Sequence, residues 1–84
     1  MTEKPSKTKE QLISDERAAE QSVVDAEIAF RLAEIHGPAT AEKEALDNAR
    51  TDSLRIRKEM VDGLAQWHTY DAEQEVLRLA NEGR

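Results

Sequence analysis

The sequence contains no cysteine, which excludes disulfide bonds and thiolate metal sites. Only two histidines are present, His36 and His68, and they lie far apart, so we expect no structural zinc site. Proline, glycine and aromatic residues are also scarce. A domain of 84 residues buries little apolar surface on its own. We therefore expect oligomerisation to stabilise this small domain.

Long apolar runs are missing as well. No stretch approaches the roughly 18 apolar residues that a membrane span requires. The lysines near the amino terminus are not followed by an apolar segment, so we expect no signal peptide. These features predict a cytoplasmic protein with no membrane partner.

Catalytic motifs are absent from the sequence. It has no glycine-rich phosphate loop, no His-Glu-x-x-His and no local serine, histidine and aspartate set. Its many carboxylates lie in helical patterns, where they usually solvate the surface and form pairs four residues apart. We therefore expect no enzyme and no cofactor.

With a net charge of −6, we expect at most weak binding to nucleic acid.

What the sequence does contain is helix-forming residues. Ala, Glu, Leu, Arg and Lys dominate, as in long helices and coiled coils. Gly37 suits the left-handed conformation that ends a helix, and Pro38 cannot continue that helix but can open the next. The predicted organisation is a disordered tail over 1–7 and a single helical domain over 8–84, with a helix over 8–36, a turn over 37–39, a helix over 40–67 and a continuing or broken helix over 70–82.

One apolar stripe on each predicted helix repeats at spacings of three and four residues, which is typical of a packed seam. The predicted seam residues are Leu12, Ala19, Val23, Ala26, Phe30, Leu46, Ala49, Ile56, Met60 and Leu64. Folding at 37–38 brings Phe30 opposite Leu46 and Val23 opposite Ser53. The sequence therefore predicts an all-α, coiled-coil-like antiparallel hairpin with a long or broken second helix.

A second apolar stripe lies on another face of each predicted helix. On the first helix we expect the strip between the two stripes to be exposed, and it carries Glu16, Glu20, Glu27 and Glu34. A helix that packs on a single neighbour needs only one stripe, so the second predicts a further interface. The candidate oligomer or partner residues are Ile13, Val24, Ile28, Leu32, Ile35, Leu54, Val61, Trp67, Tyr70, Val76 and Leu79. We expect the chain to bind copies of itself and another protein.

Two clusters allow more than one interpretation. Trp67 and Tyr70 would form either a hydrophobic plug at the open end of the hairpin, an interface hot spot or, least favoured, a ligand pocket. The basic run would form either a solvated salt-bridge face or a phosphate-contacting patch repeated around a ring. The candidate phosphate contacts are Arg50, Arg55, Arg57 and Lys58.

Residues 44–64 resemble a helical segment of bacteriophage small terminase subunits of the lambda-like group. The resemblance rests on five positions: Leu46, Ala49, Asp52, Ile56 and Gly63. The sequence lacks the DNA-reading helix-turn-helix with which those proteins usually begin. The resemblance therefore implies a minimal small terminase, a ring-forming and non-catalytic adaptor for a large terminase motor. It also implies a location in a bacterium or phage-infected host.

Two functional hypotheses follow. The first is an oligomeric helical adaptor, in its most specific form a DNA-packaging protein that recruits a large terminase. The alternative is a small acidic helical regulator or inhibitor that binds a partner protein through a helix face. A ring of many subunits favours the first hypothesis, whereas a dimer or monomer that binds a basic protein favours the second.

Overall fold

Two α-helices make up almost all of the chain. The computed structural model describes residues 3–83 and contains helix α1, Lys9–His36, and helix α2, Thr40–Glu82. Residues 3–83 include no β-strand. The helices pack side by side in opposite directions, with Leu12 against Gly63. The predicted all-α antiparallel hairpin is confirmed.

Helix α1 begins and ends at local signals in the sequence. The Thr8 hydroxyl accepts a hydrogen bond from the Gln11 backbone N–H, and the Gln11 side chain accepts one from the Thr8 backbone N–H. This reciprocal capping box satisfies two backbone donors at the helix start. The turn begins at Gly37, whose φ of 139° and ψ of −156° favour glycine. We expected the left-handed helical conformation there, and the observed backbone is more extended.

Helix α2 continues without a break for 43 residues. A broken second helix was the alternative that the sequence left open. Gly63 instead packs directly against Leu12 within the helix. The Thr69 hydroxyl donates to the Ala65 carbonyl at 3.2 Å, which turns this side chain back along the helix instead of capping a new one.

The hairpin is a thin rod of 73 × 15 × 13 Å. Helix α2 sets its length, because 43 residues at 1.5 Å each span about 64 Å. The buried apolar residues are Leu12, Ala19, Ala39 and Leu46. Within residues 3–83 no side chain is completely buried, so the seam between the helices is a narrow core.

Residues 3–8, which precede α1, have no regular secondary structure but make defined contacts. Pro5 is half-buried, and the Lys7 carbonyl accepts a hydrogen bond from Trp67. The sequence predicts a disordered tail over 1–7. The structure describes this tail from residue 3 onward and places Lys7 against α2. Met1, Thr2 and Arg84 lie outside the described residues.

Candidate interaction surfaces

The predicted seam residues lie between the two helices. Leu12, Ala19 and Leu46 are buried, and the other seven are half-buried: Val23, Ala26, Phe30, Ala49, Ile56, Met60 and Leu64. The observed register agrees with folding at 37–38, because Val23 and Ser53 line one shallow cleft and Ala19 and Ile56 line another. Small side chains on one helix thus meet larger ones on the other.

A buried glutamate interrupts this seam. The sequence placed Glu16 on an exposed strip, but that prediction was wrong, since Glu16 is only 9% exposed. It lies four residues after Leu12 and three before Ala19, so it fills the seven-residue gap in the repeat. Arg57 of α2 reaches across to it, with Nε 3.7 Å from the carboxylate, and also contacts Glu20 at 3.2 Å.

The carboxyl group of Glu16 holds a proton more tightly than a free glutamate does. Hydrogen bonding with Glu20 is the main cause of the raised pKa of Glu16, and burial and the charge of Glu20 raise it further. Arg57 lowers the pKa by charge and hydrogen bonding, but less strongly. Two acids and one arginine therefore share a cross-helix cluster whose net charge depends on pH.

The outer stripe, as we call the exposed apolar residues away from the seam, runs along both helices. Its members have exposed fractions between 39% and 74%: Ile13, Val24, Ile28, Leu32, Ile35, Leu54, Val61, Val76 and Leu79. Leu77 is also exposed, at 41%, but does not belong to the stripe. Leu77 was not among the predicted interface residues. It follows Tyr70 at a seven-residue spacing, so it continues the seam beyond the point where α1 begins.

Trp67 and Tyr70, also predicted as interface residues, are half-buried at the open end of the hairpin. Their rings meet edge to face with centroids 5.6 Å apart. The ammonium of Lys9 lies 5.5 Å from the centroid of the Trp67 ring and 2.6 Å from the Asp71 carboxylate. These contacts join the first turn of α1 to α2.

Beyond Asp71, helix α2 forms an arm, which we define as residues 72–82. Helix α1 begins at Lys9, level with Asp71, and so has no residues opposite most of the arm. Val76, Leu77 and Leu79 are exposed there. Arg78 forms ion pairs with Glu75 and with Glu82 at 2.8 Å, all within the arm.

The side chains of the four residues predicted as phosphate contacts lie in different surroundings. Arg55 pairs with Glu59 at 3.1 Å along α2, whereas Arg57 crosses to Glu16 and Glu20. Arg50 lines the shallow cleft beside Val23, and Lys58 is exposed. Two of the four side chains are thus engaged by acids of the same chain, and the four do not form one continuous patch.

The described part of the chain holds no group of three or more metal-ligating side chains. Neither helix within residues 3–83 is both long and apolar enough to cross a bilayer. Comparison with protein-family models, with curated proteins and with solved structures gives no match to this chain.

Proposed function

We propose that this protein is a non-catalytic helical adaptor that assembles through its outer stripe and uses its arm to bind another protein. The observation that carries the proposal is the large number of exposed apolar side chains compared with the number that are buried. Within residues 3–83, ten large apolar side chains are exposed, nine of them on the stripe, whereas four apolar residues are buried. Exposed apolar surface of this extent usually marks an interface.

The accessible area supports this proposal. The chain exposes 6486 Å². A compact monomer of 9.5 kDa would expose about 5,000 Å², so the surplus is about 1,400 Å². A standard protein interface buries about 800 Å² on each partner. The surplus is therefore large enough for a stable homo-oligomer and for a second, smaller contact along the arm.

In its most specific form, the proposal is a minimal small-terminase-like DNA-packaging protein in the cytoplasm of a phage-infected bacterium. This form rests on the resemblance of residues 44–64 to small terminase subunits. The homo-oligomer would recruit a large terminase motor, and repeated copies of Lys58 and Arg50 would supply weak contacts to DNA phosphates. Repulsion between the DNA phosphates and a net charge of −6 per chain would keep that DNA binding weak.

The second candidate is a small acidic regulator that binds a basic partner protein. The observation that favours it is the excess of acidic over basic residues, 18 against 12, together with the pairing of Arg55 and Arg57 with glutamates of the same chain. An acidic helix face can attract a partner that normally binds nucleic acid.

Paired variants test the adaptor proposal. Ile28→Glu places a charge on the outer stripe and should reduce the sedimentation coefficient to that of a single chain, with unchanged helicity. Ala29→Glu places the same charge at an exposed site about a quarter-turn away from Ile28, off the stripe, and should leave assembly intact. Equal sedimentation of wild type and Ile28→Glu would contradict the proposal. DNA retention at low salt would favour the packaging form, and salt-sensitive binding to a basic protein would favour the regulator.

A further inference from the structure

The open end of the hairpin holds a groove that residues 5–7 help to line. The strap, which we define as residues 5–7, lies over α2 before α1 begins. The strap groove beneath it is lined by Leu12, Glu59, Asp62, Gly63 and Gln66. Gly63 has no side chain, and Leu12 of α1 packs into the space that this leaves at the base of the groove.

Two kinds of contact hold the strap. The indole Nε1 of Trp67 donates a hydrogen bond of 2.7 Å to the Lys7 carbonyl. The Lys7 ammonium lies 3.2 Å from the Asp15 carboxylate and 4.0 Å from that of Glu59. The first contact needs only a backbone carbonyl, whereas the second requires a cation. The combination thus recognises an extended chain that carries a lysine at one position.

The residues around the groove are consistent with a basic occupant. Glu59 and Asp62 lie along one wall, and Asp15 lies at the end where Lys7 is held. The amino-terminal segment contains three lysines and one glutamate over residues 3–9, opposite in sign to the rest of the chain. Pro5 favours an extended backbone, which lowers the entropy lost when the strap is seated.

We propose that the strap groove is a recognition site for an extended, lysine-containing peptide segment, and that the chain's own strap occupies it in cis. The site is separate from the outer stripe and from the arm, so it does not depend on the adaptor function. Covalent attachment gives the strap an effective concentration on the order of millimolar. A segment supplied from another chain binds only when the strap is released.

Salt and charge should control that release. Lys7 and its two carboxylate partners are about half exposed, so counterions weaken their attraction. Lys7→Glu replaces the attraction with repulsion while leaving both helices unaltered. Lys4→Glu is the matched control, because it makes the same charge change at an exposed position of the same segment.

The test measures binding of a fluorescein-labelled peptide with the sequence of residues 3–9 to the full-length chain by anisotropy. The Lys7→Glu chain should bind at least about tenfold more tightly than the wild type or Lys4→Glu, because the tethered competitor is removed. Its Trp67 emission should be red-shifted, and it should shift back when unlabelled peptide is added. Raising the salt concentration should weaken the binding.

A second variant separates recognition from simple charge attraction. Trp67→Phe keeps an aromatic ring but removes the indole donor, so it should abolish most of the peptide binding of the Lys7→Glu chain. Equal affinity of the peptide for all chains would overturn the proposal. An unchanged Trp67 emission in Lys7→Glu would also overturn it, because the strap would then remain seated without its ion pairs.

Discussion

The contact between Gly63 and Leu12 allows a sharp test of the hairpin packing. A Cβ atom at position 63 would lie 2.6 Å from Cδ1 and 2.9 Å from Cδ2 of Leu12, both closer than carbon atoms approach. Gly63→Ala should gain about 1 kcal/mol because alanine favours a helix more than glycine does. Overpacking against Leu12 should cost about 1–3 kcal/mol. We therefore expect a net loss of about 1 kcal/mol.

In a Leu12→Val background, the expected effect of Gly63→Ala on the free energy of unfolding changes sign. Leu12→Val shortens the side chain that would clash with the new Cβ and by itself costs about 1 kcal/mol. In that background, Gly63→Ala should stabilise the protein, since the helix gain remains and the clash is removed. The coupling between the two positions should be about 2 kcal/mol.

Urea unfolding followed by far-ultraviolet circular dichroism measures all four chains of this cycle. Protein concentration must be the same throughout, because assembly shifts apparent stability. If Gly63→Ala stabilises the wild-type background as much as it stabilises Leu12→Val, then α1 and α2 do not approach closely at this position. The register of the hairpin would then be wrong.

Three further predictions concern the seam, the outer stripe and pH. Phe30→Ala should lower the free energy of unfolding by about 2 kcal/mol, less than for a fully buried phenylalanine, as urea unfolding would show. Ile28→Glu should leave that free energy nearly unchanged at a dilution where the chain is monomeric, and equal losses for both variants would contradict the division into seam and stripe. The raised pKa of Glu16 stabilises the folded wild type at low pH, and this stabilisation is lost as pH rises through that pKa. Glutamine does not titrate, so the melting temperature of Glu16→Gln minus that of the wild type should increase from about pH 4 to about pH 7. A pH-independent difference would show that Glu16 titrates alike in the folded and unfolded chain.

The helices themselves were predictable because their signals are local. Repeats of three and four residues indicate one face of a helix, and the Thr8 and Gln11 spacing predicts a capping box. Gly37 and Pro38 mark the turn between the helices. Together these features predicted the all-α hairpin and the antiparallel direction of its two helices.

Contacts between distant residues were harder to predict. Glu16 was missed because a charged residue was not expected in the seam, although the gap between Leu12 and Ala19 marked the position. The strap was predicted to be disordered because its composition is polar. Its hydrogen bond to Trp67 joins residues 60 positions apart, for which the sequence has no periodic signal.

The roles of the outer stripe and of the basic run remain predictions. Periodicity identified Ile28 and Leu54 as lying off the seam, and both are exposed. The sequence could not show that Arg57 would reach Glu16 and Glu20, because that pairing depends on the relative rotation of two helices.

The most direct test of self-assembly is the absolute mass of the wild-type chain in solution, measured by light scattering after size exclusion at low and high salt. We predict a homo-oligomer that persists at high salt, because apolar burial is strengthened and not screened by added salt. A ring-sized mass would favour the packaging adaptor, and a dimer would favour the regulator. A stable monomer of 9.5 kDa at both salt concentrations would contradict assembly through the outer stripe.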